Sequence, residues 1–133
     1  VLVVDDNEDA AELLAEALRG LGHEVSVAHD GVSALRVLDS TTPEIGLLDL
    51  GLPDMDGFEL ARRIHTCAGH ETLPLVAVTG YGQESDRRAA RSAGFADLVV
   101  KPASLDVLAA TIRRLATPGK EARPTPGSTP PRR

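Results

Sequence analysis

Four short apolar segments of this 133-residue chain each end on a polar side chain that could take part in chemistry. Residues 1–4 are followed by Asp5 and Asp6, 45–48 by Asp49, 75–78 by Thr79, and 98–100 by Lys101. Short apolar runs that alternate with helical patterns are typical of buried parallel strands. Because ligands bind beyond the carboxyl ends of such strands, three carboxylates, a hydroxyl and an ammonium group are predicted to share one site.

The three carboxylates indicate a magnesium site. Carboxylates that lie close together repel one another, which favours a bound proton or a bound cation. The sequence offers oxygen ligands here and no Cys/His cluster, so a hard cation is expected. Mg²⁺ fits best because it binds a few carboxylates, keeps some of its waters and bridges to phosphate.

The same residues could transfer a phosphoryl group to an aspartate. A carboxylate can act as a nucleophile toward phosphorus, and a cation, an ammonium group and a hydroxyl would neutralise the transferring oxygens. Asp49 is the expected nucleophile, because it ends a central strand between those that carry Asp6 and Thr79. Lys101, the only lysine before residue 118, would pair with a carboxylate at rest and with phosphoryl oxygens later. Pro102 favours an extended backbone at Lys101, which aims its side chain at the site.

Each of these residues also has an ordinary structural explanation. An aspartate after a strand is commonly a helix N-cap or a turn residue, as expected for Asn7 and Asp9 before the first helix. Thr79 alone would pass for a strand end, and Lys101 alone for a solvated charge. The histidines at 23, 29, 65 and 70 are interpreted as surface residues. All four strand ends carry such residues, in the order that a shared site requires. This combination favours the functional interpretation.

The spacing of apolar residues predicts five strand–helix units. Strands are expected at about 1–5, 24–28, 45–49, 75–79 and 98–100. The first helix is expected to end at Gly22 and to bury Leu13, Leu14, Ala17, Leu18 and Leu21. The other helices are expected after Asp30, after Gly57, over about 84–93 and from an N-cap at Ser104. This pattern predicts an α/β, doubly wound (βα)5 flavodoxin-like fold, with a parallel sheet of order 2-1-3-4-5 and helices on both faces.

Composition divides the chain into a domain, residues 1–117, and a Pro/Gly-rich tail or linker, residues 118–133, which is expected to be disordered. The tail carries four basic residues against one acidic residue, so the net charge of −6 for the whole chain leaves −9 for residues 1–117. This acidic body argues against nucleic-acid binding. The single cysteine, Cys67, suits a reducing compartment. No apolar stretch approaches the roughly 20 residues that cross a bilayer, so membrane contact by this domain is not expected.

These motifs resemble the CheY-like receiver domain of response regulators, the phosphoacceptor module of two-component signalling. The resemblance covers residues 1 to about 116. It rests on Val-Leu-Val-Val-Asp5-Asp6-Asn7, Leu-Leu-Asp49-Leu-Gly-Leu-Pro53-Asp-Met-Asp-Gly57, Val-Thr79-Gly80 and Val-Val-Lys101-Pro102. It implies that Asp49 accepts a phosphoryl group from the phosphohistidine of a histidine kinase or phosphotransfer protein. Such a domain catalyses its own phosphorylation and dephosphorylation without being a classical enzyme.

The resemblance also implies a role for each site residue. Mg²⁺ would be bound by the side chains of Asp6 and Asp49 and by the backbone carbonyl of Gly51, and Asp5 would hold a metal-bound water or help directly. Thr79 and Lys101 would contact the phosphoryl group, for which Gly80 leaves room. Phosphorylation would draw the threonine inward and shift the face built from helix 4, strand 5 and helix 5.

Two features bear on the kind of receiver. The segments Thr79-Gly-Tyr-Gly-Gln and Gly94-Phe-Ala-Asp resemble receivers fused to hybrid sensor histidine kinases, so a cytoplasmic location is expected, alone or as the cytoplasmic part of a membrane-bound sensor. Many receivers carry an aromatic residue three positions before the lysine, where this chain has Leu98. Coupling of Thr79 to an aromatic rotamer is therefore not expected. Gly51 and Tyr81 occupy positions that influence phosphoryl lifetime in this family.

Two other classes of function remain open. A degenerate receiver would act as a protein-interaction module without phosphorylation, but such domains usually lose the nucleophile or the lysine, and this chain keeps both. An aspartyl-phosphate phosphatase commonly has Asp-x-Asp after the first strand, whereas here Asp5 is followed by Asp6 and Asn7.

Overall fold

The computed structural model describes residues 1–80, 84–101 and 104–116. Strands and helices alternate along these ranges. The strands are β1 (Leu2–Val4), β2 (Ser26–Ala28), β3 (Gly46–Asp49), β4 (Leu75–Thr79) and β5 (Asp97–Val100). The helices are α1 (Glu8–Gly20), α2 (Gly31–Ser40), α3 (Gly57–His65), α4 (Glu84–Ser92) and α5 (Leu105–Leu115). Tyr81, Pro102 and the predicted tail 118–133 lie outside the described residues.

The five strands form one parallel sheet in the order β2-β1-β3-β4-β5, which confirms the predicted fold class and strand order. In the register, Val4 pairs with Leu48, Asp49 with Val78, and Thr79 with Val100. The apolar strands β1, β3 and β4 are therefore central, as expected for strands buried on both sides. Their carboxyl ends lie side by side at one edge of the sheet.

Helices cover both faces of the sheet. One apolar cluster packs α1 and α5 on β1, β3 and β4 through residues such as Ala11, Leu18, Leu108 and Ile112. The other packs α2, α3 and α4 on the opposite face through residues such as Leu38, Leu60, Ile64 and Ala90. Two independent apolar layers thus fix the sheet from either side. Among the described residues, no helix is long and apolar enough to span a membrane.

Helix ends follow the local sequence. Asn7, Asp30, Asp56 and Ser104 cap the N-termini of α1, α2, α3 and α5, each accepting a hydrogen bond from the amide three residues further on. The backbone turns at Gly22, whose φ of +98° is open to glycine at little cost, directly after α1. The predicted N-cap at Ser104 and the predicted stop at Gly22 are confirmed.

The predicted buried face of α1 was partly wrong. The helix buries Ala11, Ala15 and Leu18, whereas Leu13 is 70% exposed and Leu21 is 53% exposed. At 3.6 residues per turn, Leu13 lies about 200° around the axis from Ala11, on the opposite side of the helix. Leu21 is the C-cap residue and has left the helical backbone. The buried stripe consists mostly of alanine, so the larger leucines misled the prediction.

The histidines also differ from prediction. His70 is buried and its Nε2 bonds the carbonyl of Leu38 at 2.9 Å, which ties the loop before β4 to the end of α2. His65 bonds the carbonyl of Leu73 in the same way. Because a carbonyl only accepts, each of these ring nitrogens carries the proton. The interpretation of His70 as a surface residue was therefore wrong, whereas His65 is half-buried.

Candidate functional site

The predicted site residues lie at the carboxyl edge of the sheet, each placed by the end of its strand. Asp5 follows β1 and its amide donates to Ala28 of β2. Asp49 and Thr79 are the last residues of β3 and β4, and Lys101 follows β5. Because the strand order puts β3 between β1 and β4, Asp49 occupies the middle of the group.

The carboxylates of Asp5, Asp6 and Asp49 form one cluster. Each offers an oxygen within 4.8 Å of the others. The side chains of Asp5 and Asp49 are only 16% and 14% exposed, whereas Asp6 is exposed. Three acidic groups, two of them mostly withdrawn from water, thus face one small region.

Lys101 lies against this cluster. Its Nζ is 3.2 Å from Asp49 Oδ2 and 3.6 Å from Asp5 Oδ2. Partial burial lowers the pKa of Lys101, but the attraction of Asp49 and Asp5 outweighs it and holds that pKa above its ordinary value. The ammonium group therefore stays charged between two strands.

Two amides orient the carboxylates. The amide of Asn7 donates to Asp5 Oδ1 at 3.0 Å, and the amide of Gly51 donates to Asp49 Oδ1 at 3.0 Å. In both residues the second oxygen, Oδ2, faces Lys101. Each aspartate thus bonds the backbone two residues further on through one oxygen and presents the other to the shared region.

The surroundings of Asp5 shift the pKa of its carboxyl group. Burial is the largest cause and raises the pKa of Asp5, as does the charge of Asp49. The Asn7 amide and the Lys101 charge act in the opposite direction but only partly offset it. The environment of Asp5 therefore disfavours its charged form. A bound cation would stabilise that charged form.

Thr79 and Gly80 lie beside this group. Thr79 is buried, and its carbonyl accepts a hydrogen bond from the amide of Lys101 at 2.7 Å, which joins the ends of β4 and β5. A Cβ added at Gly80 would meet no atom of the described residues within 4 Å. The described residues thus leave open space at Gly80, where the resemblance to receiver domains implies room for a phosphoryl group.

Close backbone contacts shape the loop after β3. A Cβ on Gly57 would lie 2.6 Å from Leu50 Cδ2, 2.8 Å from Leu50 Cα and 3.0 Å from the carbonyl oxygen of Asp49. The amide of Gly57 donates to the carbonyl of Leu50 at 3.0 Å. Only glycine lets α3 begin so near the end of β3.

Two further residues frame the site and were not predicted from the sequence. His29, interpreted as a surface residue, bonds the carbonyl of Asp5 through Nδ1 at 3.0 Å. Asp54 accepts hydrogen bonds from the amides of Gly31 and Val32, the first residues of α2. Both partners lie more than 20 residues away along the chain, so no local pattern could have indicated them.

The donor set fits a hard divalent cation. The cluster supplies carboxylate oxygens from two adjacent strand ends, and an ammonium group lies on its border. Oxygen ligands of this kind suit Mg²⁺, which dehydrates reluctantly and retains waters beside one or two carboxylates. The exposure of Asp6 leaves the cluster open to solvent on one side, as a partly hydrated ion requires.

Fold and site together define an α/β domain with an acidic cluster and a lysine at the carboxyl edge of its sheet. The family model of the response regulator receiver domain matches residues 1–113. The chain belongs to the response regulator receiver family, the CheY-like receiver domains of two-component signalling.

Similar proteins agree with this assignment. The chain is 42% identical to a 14.6 kDa protein from the sodA1 3′ region of Leptolyngbya boryana, over 77% of the chain and 78% of that protein. It is 38% identical to the sensor histidine kinase RcsC of Salmonella typhimurium over 84% of the chain, but it spans only 12% of that kinase. The receiver domain of the Pseudomonas aeruginosa sensor histidine kinase PA1611, solved with a magnesium ion coordinated in its active site cleft, superposes with a TM-score of 0.77. That match is 29% identical and covers 86% of this chain and 93% of the PA1611 domain.

Proposed function

We propose that this domain is a Mg²⁺-dependent phosphoacceptor switch, in which Asp49 takes a phosphoryl group from a histidine kinase or phosphotransfer protein. The observation that carries the proposal is the contact of one ammonium group with two clustered carboxylates. Lys101 Nζ lies 3.2 Å from Asp49 Oδ2, beside a group of three carboxylates that can share one cation. A nucleophile, a charge-neutralising group and a cation site are thereby within reach of one phosphorus atom.

The proposed transfer follows from these positions. An Asp49 oxygen attacks the phosphorus of a phosphohistidine, an O–P bond forms, the N–P bond breaks, and the histidine nitrogen retains the electron pair and takes up a proton. Asp49 Oδ2 is the expected nucleophile, because Oδ1 is held by the Gly51 amide. Lys101 would leave its carboxylate partners and pair with the phosphoryl oxygens.

Each remaining residue has a proposed role. Asp6 and Asp49 would hold Mg²⁺ with the Gly51 carbonyl, and Asp5 would hold a metal-bound water or contribute directly. When bound, the cation neutralises charge on the transferring oxygens. The Thr79 hydroxyl would donate to the phosphoryl group, in the space beside Gly80. The magnesium ion in the receiver of PA1611 supports this assignment.

The likeness to RcsC and PA1611 supports a histidine kinase pathway as the source of phosphoryl groups. The chain spans only a small part of RcsC, so a histidine kinase as donor and a protein as output partner are proposed and not shown.

Phosphorylation is proposed to shift the face formed by α4, β5 and α5. Asp97 of β5 pairs with Arg114 of α5 at 2.5 Å and lies 3.9 Å from Arg87 of α4. Arg87 also donates to the carbonyl of Leu98. Leu98 is buried where many receivers carry a mobile aromatic residue, so this ionic bridge is the expected link between β5 and the two helices.

Incubation with acetyl phosphate tests the proposal. With Mg²⁺, mass spectrometry is expected to detect the addition of one phosphoryl group, and EDTA or the substitution Asp49→Asn should abolish it. Asp9→Asn, at an exposed aspartate of α1, is the matched control and should retain the modification. Absence of the phosphoryl group from the wild-type chain would instead favour an interaction module that works without phosphorylation.

A further inference from the structure

We propose that Asp54 is a positioning residue, which fixes the loop of residues 50–56 against α2 and thereby holds Gly51 beside Asp49. The inference rests on the proposed function, since its consequence is the affinity of the site for Mg²⁺. Asp54 would act through this loop and not as a ligand, since its side chain makes its hydrogen bonds with α2.

The carboxylate of Asp54 binds the N-terminus of α2 through both oxygens. Oδ1 accepts from the Gly31 amide at 2.8 Å and Oδ2 accepts from the Val32 amide at 3.0 Å. The first amides of a helix have no partner within it, and the positive end of the helix dipole favours a carboxylate. These two hydrogen bonds, that of Gly31 first, hold the pKa of Asp54 below its ordinary value.

A second carboxylate at the same helix end, that of Asp30, has a different role. Asp30 is the N-cap of α2, and its Oδ1 accepts from the Ser33 amide at 2.7 Å. Asp30 therefore caps α2 from within its own segment. Asp54 reaches the same helix from a loop 22 or 23 residues further along the chain. Its two hydrogen bonds consequently join the loop after β3 to the first residues of α2.

The segment between Asp54 and Gly51 can transmit this restraint. Leu52 is buried, and the ring of Pro53 fixes its own φ angle. Met55, next to Asp54, packs closely on Gly31. A Cβ added at Gly31 would lie 2.7 Å from both Cγ and Sδ of Met55. A loop restrained at these consecutive residues has little freedom to move Gly51, whose amide bonds Asp49 Oδ1.

The connection also extends to the first strand. His29, two residues before Gly31, bonds the carbonyl of Asp5 at 3.0 Å. Three loops at the carboxyl edge of the sheet are thus joined in series by hydrogen bonds at Asp5, at Gly31 and at Asp49. Loss of the Asp54 carboxylate would free the loop of Gly51 while leaving all three clustered carboxylates in the chain.

Removal of such a supporting group commonly weakens a metal site by about 10–100-fold. We therefore expect Asp54→Ala to weaken Mg²⁺ binding by about tenfold, measured by calorimetric titration with the metal alone. Asp30→Ala is the matched control, because it removes a capping carboxylate from the same helix end without releasing the loop. It should lower the melting temperature while leaving Mg²⁺ affinity within about twofold of wild type.

A second readout separates positioning from loss of stability. Hydrogen exchange at the Gly51 amide should accelerate in Asp54→Ala and not in Asp30→Ala, at a temperature where both variants are folded. Should Asp54→Ala fail to fold, Asp54→Asn, which keeps one accepting oxygen, is expected to show the same changes to a smaller extent. Wild-type Mg²⁺ affinity and unchanged Gly51 exchange in the Asp54 variant would overturn the inference. A wild-type chain that binds no Mg²⁺ would instead contradict the proposed function itself.

Discussion

The ammonium nitrogen of Lys101 lies 3.2 Å from Asp49 Oδ2, although the two residues are 52 positions apart in the sequence. The same nitrogen lies 3.6 Å from Asp5 Oδ2, so it contacts the ends of β1 and β3 while its own backbone continues from β5. The ammonium charge is thus in place before any phosphoryl group arrives, and the proposed transfer requires only that it exchange its carboxylate partners for phosphoryl oxygens.

Lys101→Met should slow phosphorylation of Asp49 by acetyl phosphate by about 100-fold, the usual cost of removing one preorganised electrostatic group. Lys101→Arg keeps the charge but changes its shape, so it should retain more activity than the methionine variant. The Lys101 side chain is 39% exposed, so its ion pairs contribute no more than about 1 kcal/mol to the free energy of unfolding. Initial rates from mass spectrometry would measure the effect, and an unchanged rate in Lys101→Met would contradict the assigned role.

Magnesium should stabilise the folded chain. A ligand present at about 100 times its dissociation constant adds about 2.7 kcal/mol to the free energy of unfolding. The melting temperature should therefore rise with Mg²⁺ and fall again on addition of EDTA. Asp6→Asn, which neutralises the exposed member of the cluster, should reduce this response sharply. A melting temperature that rises equally in the wild type and in Asp6→Asn would place magnesium elsewhere.

The fold could be predicted from the sequence because its determinants are local. Apolar runs of three or four residues, glycines after helices and capping residues before them all act within a few positions. The site could be predicted in outline for the same reason, since parallel strands bring their carboxyl ends together whatever lies between them. The predicted burial of Leu13 was wrong because the buried side of α1 carries alanines, whose small size gives a weak apolar signal.

The supporting contacts could not be predicted from the sequence. His29, His70 and Asp54 each act on the backbone of a residue more than 20 positions away. A backbone amide or carbonyl is the same in every residue type, so the identity of the partner carries no signal. Such contacts depend on tertiary packing, which only the structure reveals.

Gly57→Ala should destabilise the chain by about 1–3 kcal/mol. The new Cβ would overlap the Cα of Leu50 and the carbonyl oxygen of Asp49, and these backbone atoms cannot move aside as a flexible side chain could. Gly80→Ala is the matched control, since its Cβ would meet no atom of the described residues within 4 Å. It should change the free energy of unfolding by no more than about 0.5 kcal/mol. Urea unfolding measures both, and equal stability of the two variants would show that the close approach at Gly57 can relax.

The stability that Asp54 provides should depend on pH. Its pKa in the folded chain is below the ordinary value of 3.8, so its contribution is present above that value and is lost as the pH falls through the lower folded pKa. Asp54→Asn should therefore melt below the wild type at pH 7, and the two melting temperatures should converge in strongly acidic solution. A difference that stays constant down to that pH range would mean that the charge of Asp54 does not matter.

The position of the phosphoryl group tests the central claim most directly. After reaction with acetyl phosphate and Mg²⁺, borohydride reduction converts an aspartyl phosphate to homoserine, which peptide mass spectrometry can assign to one residue. We predict homoserine at position 49 alone, and none when EDTA replaces Mg²⁺. Homoserine at position 5 or 6, or formation at 49 without a divalent cation, would contradict the account.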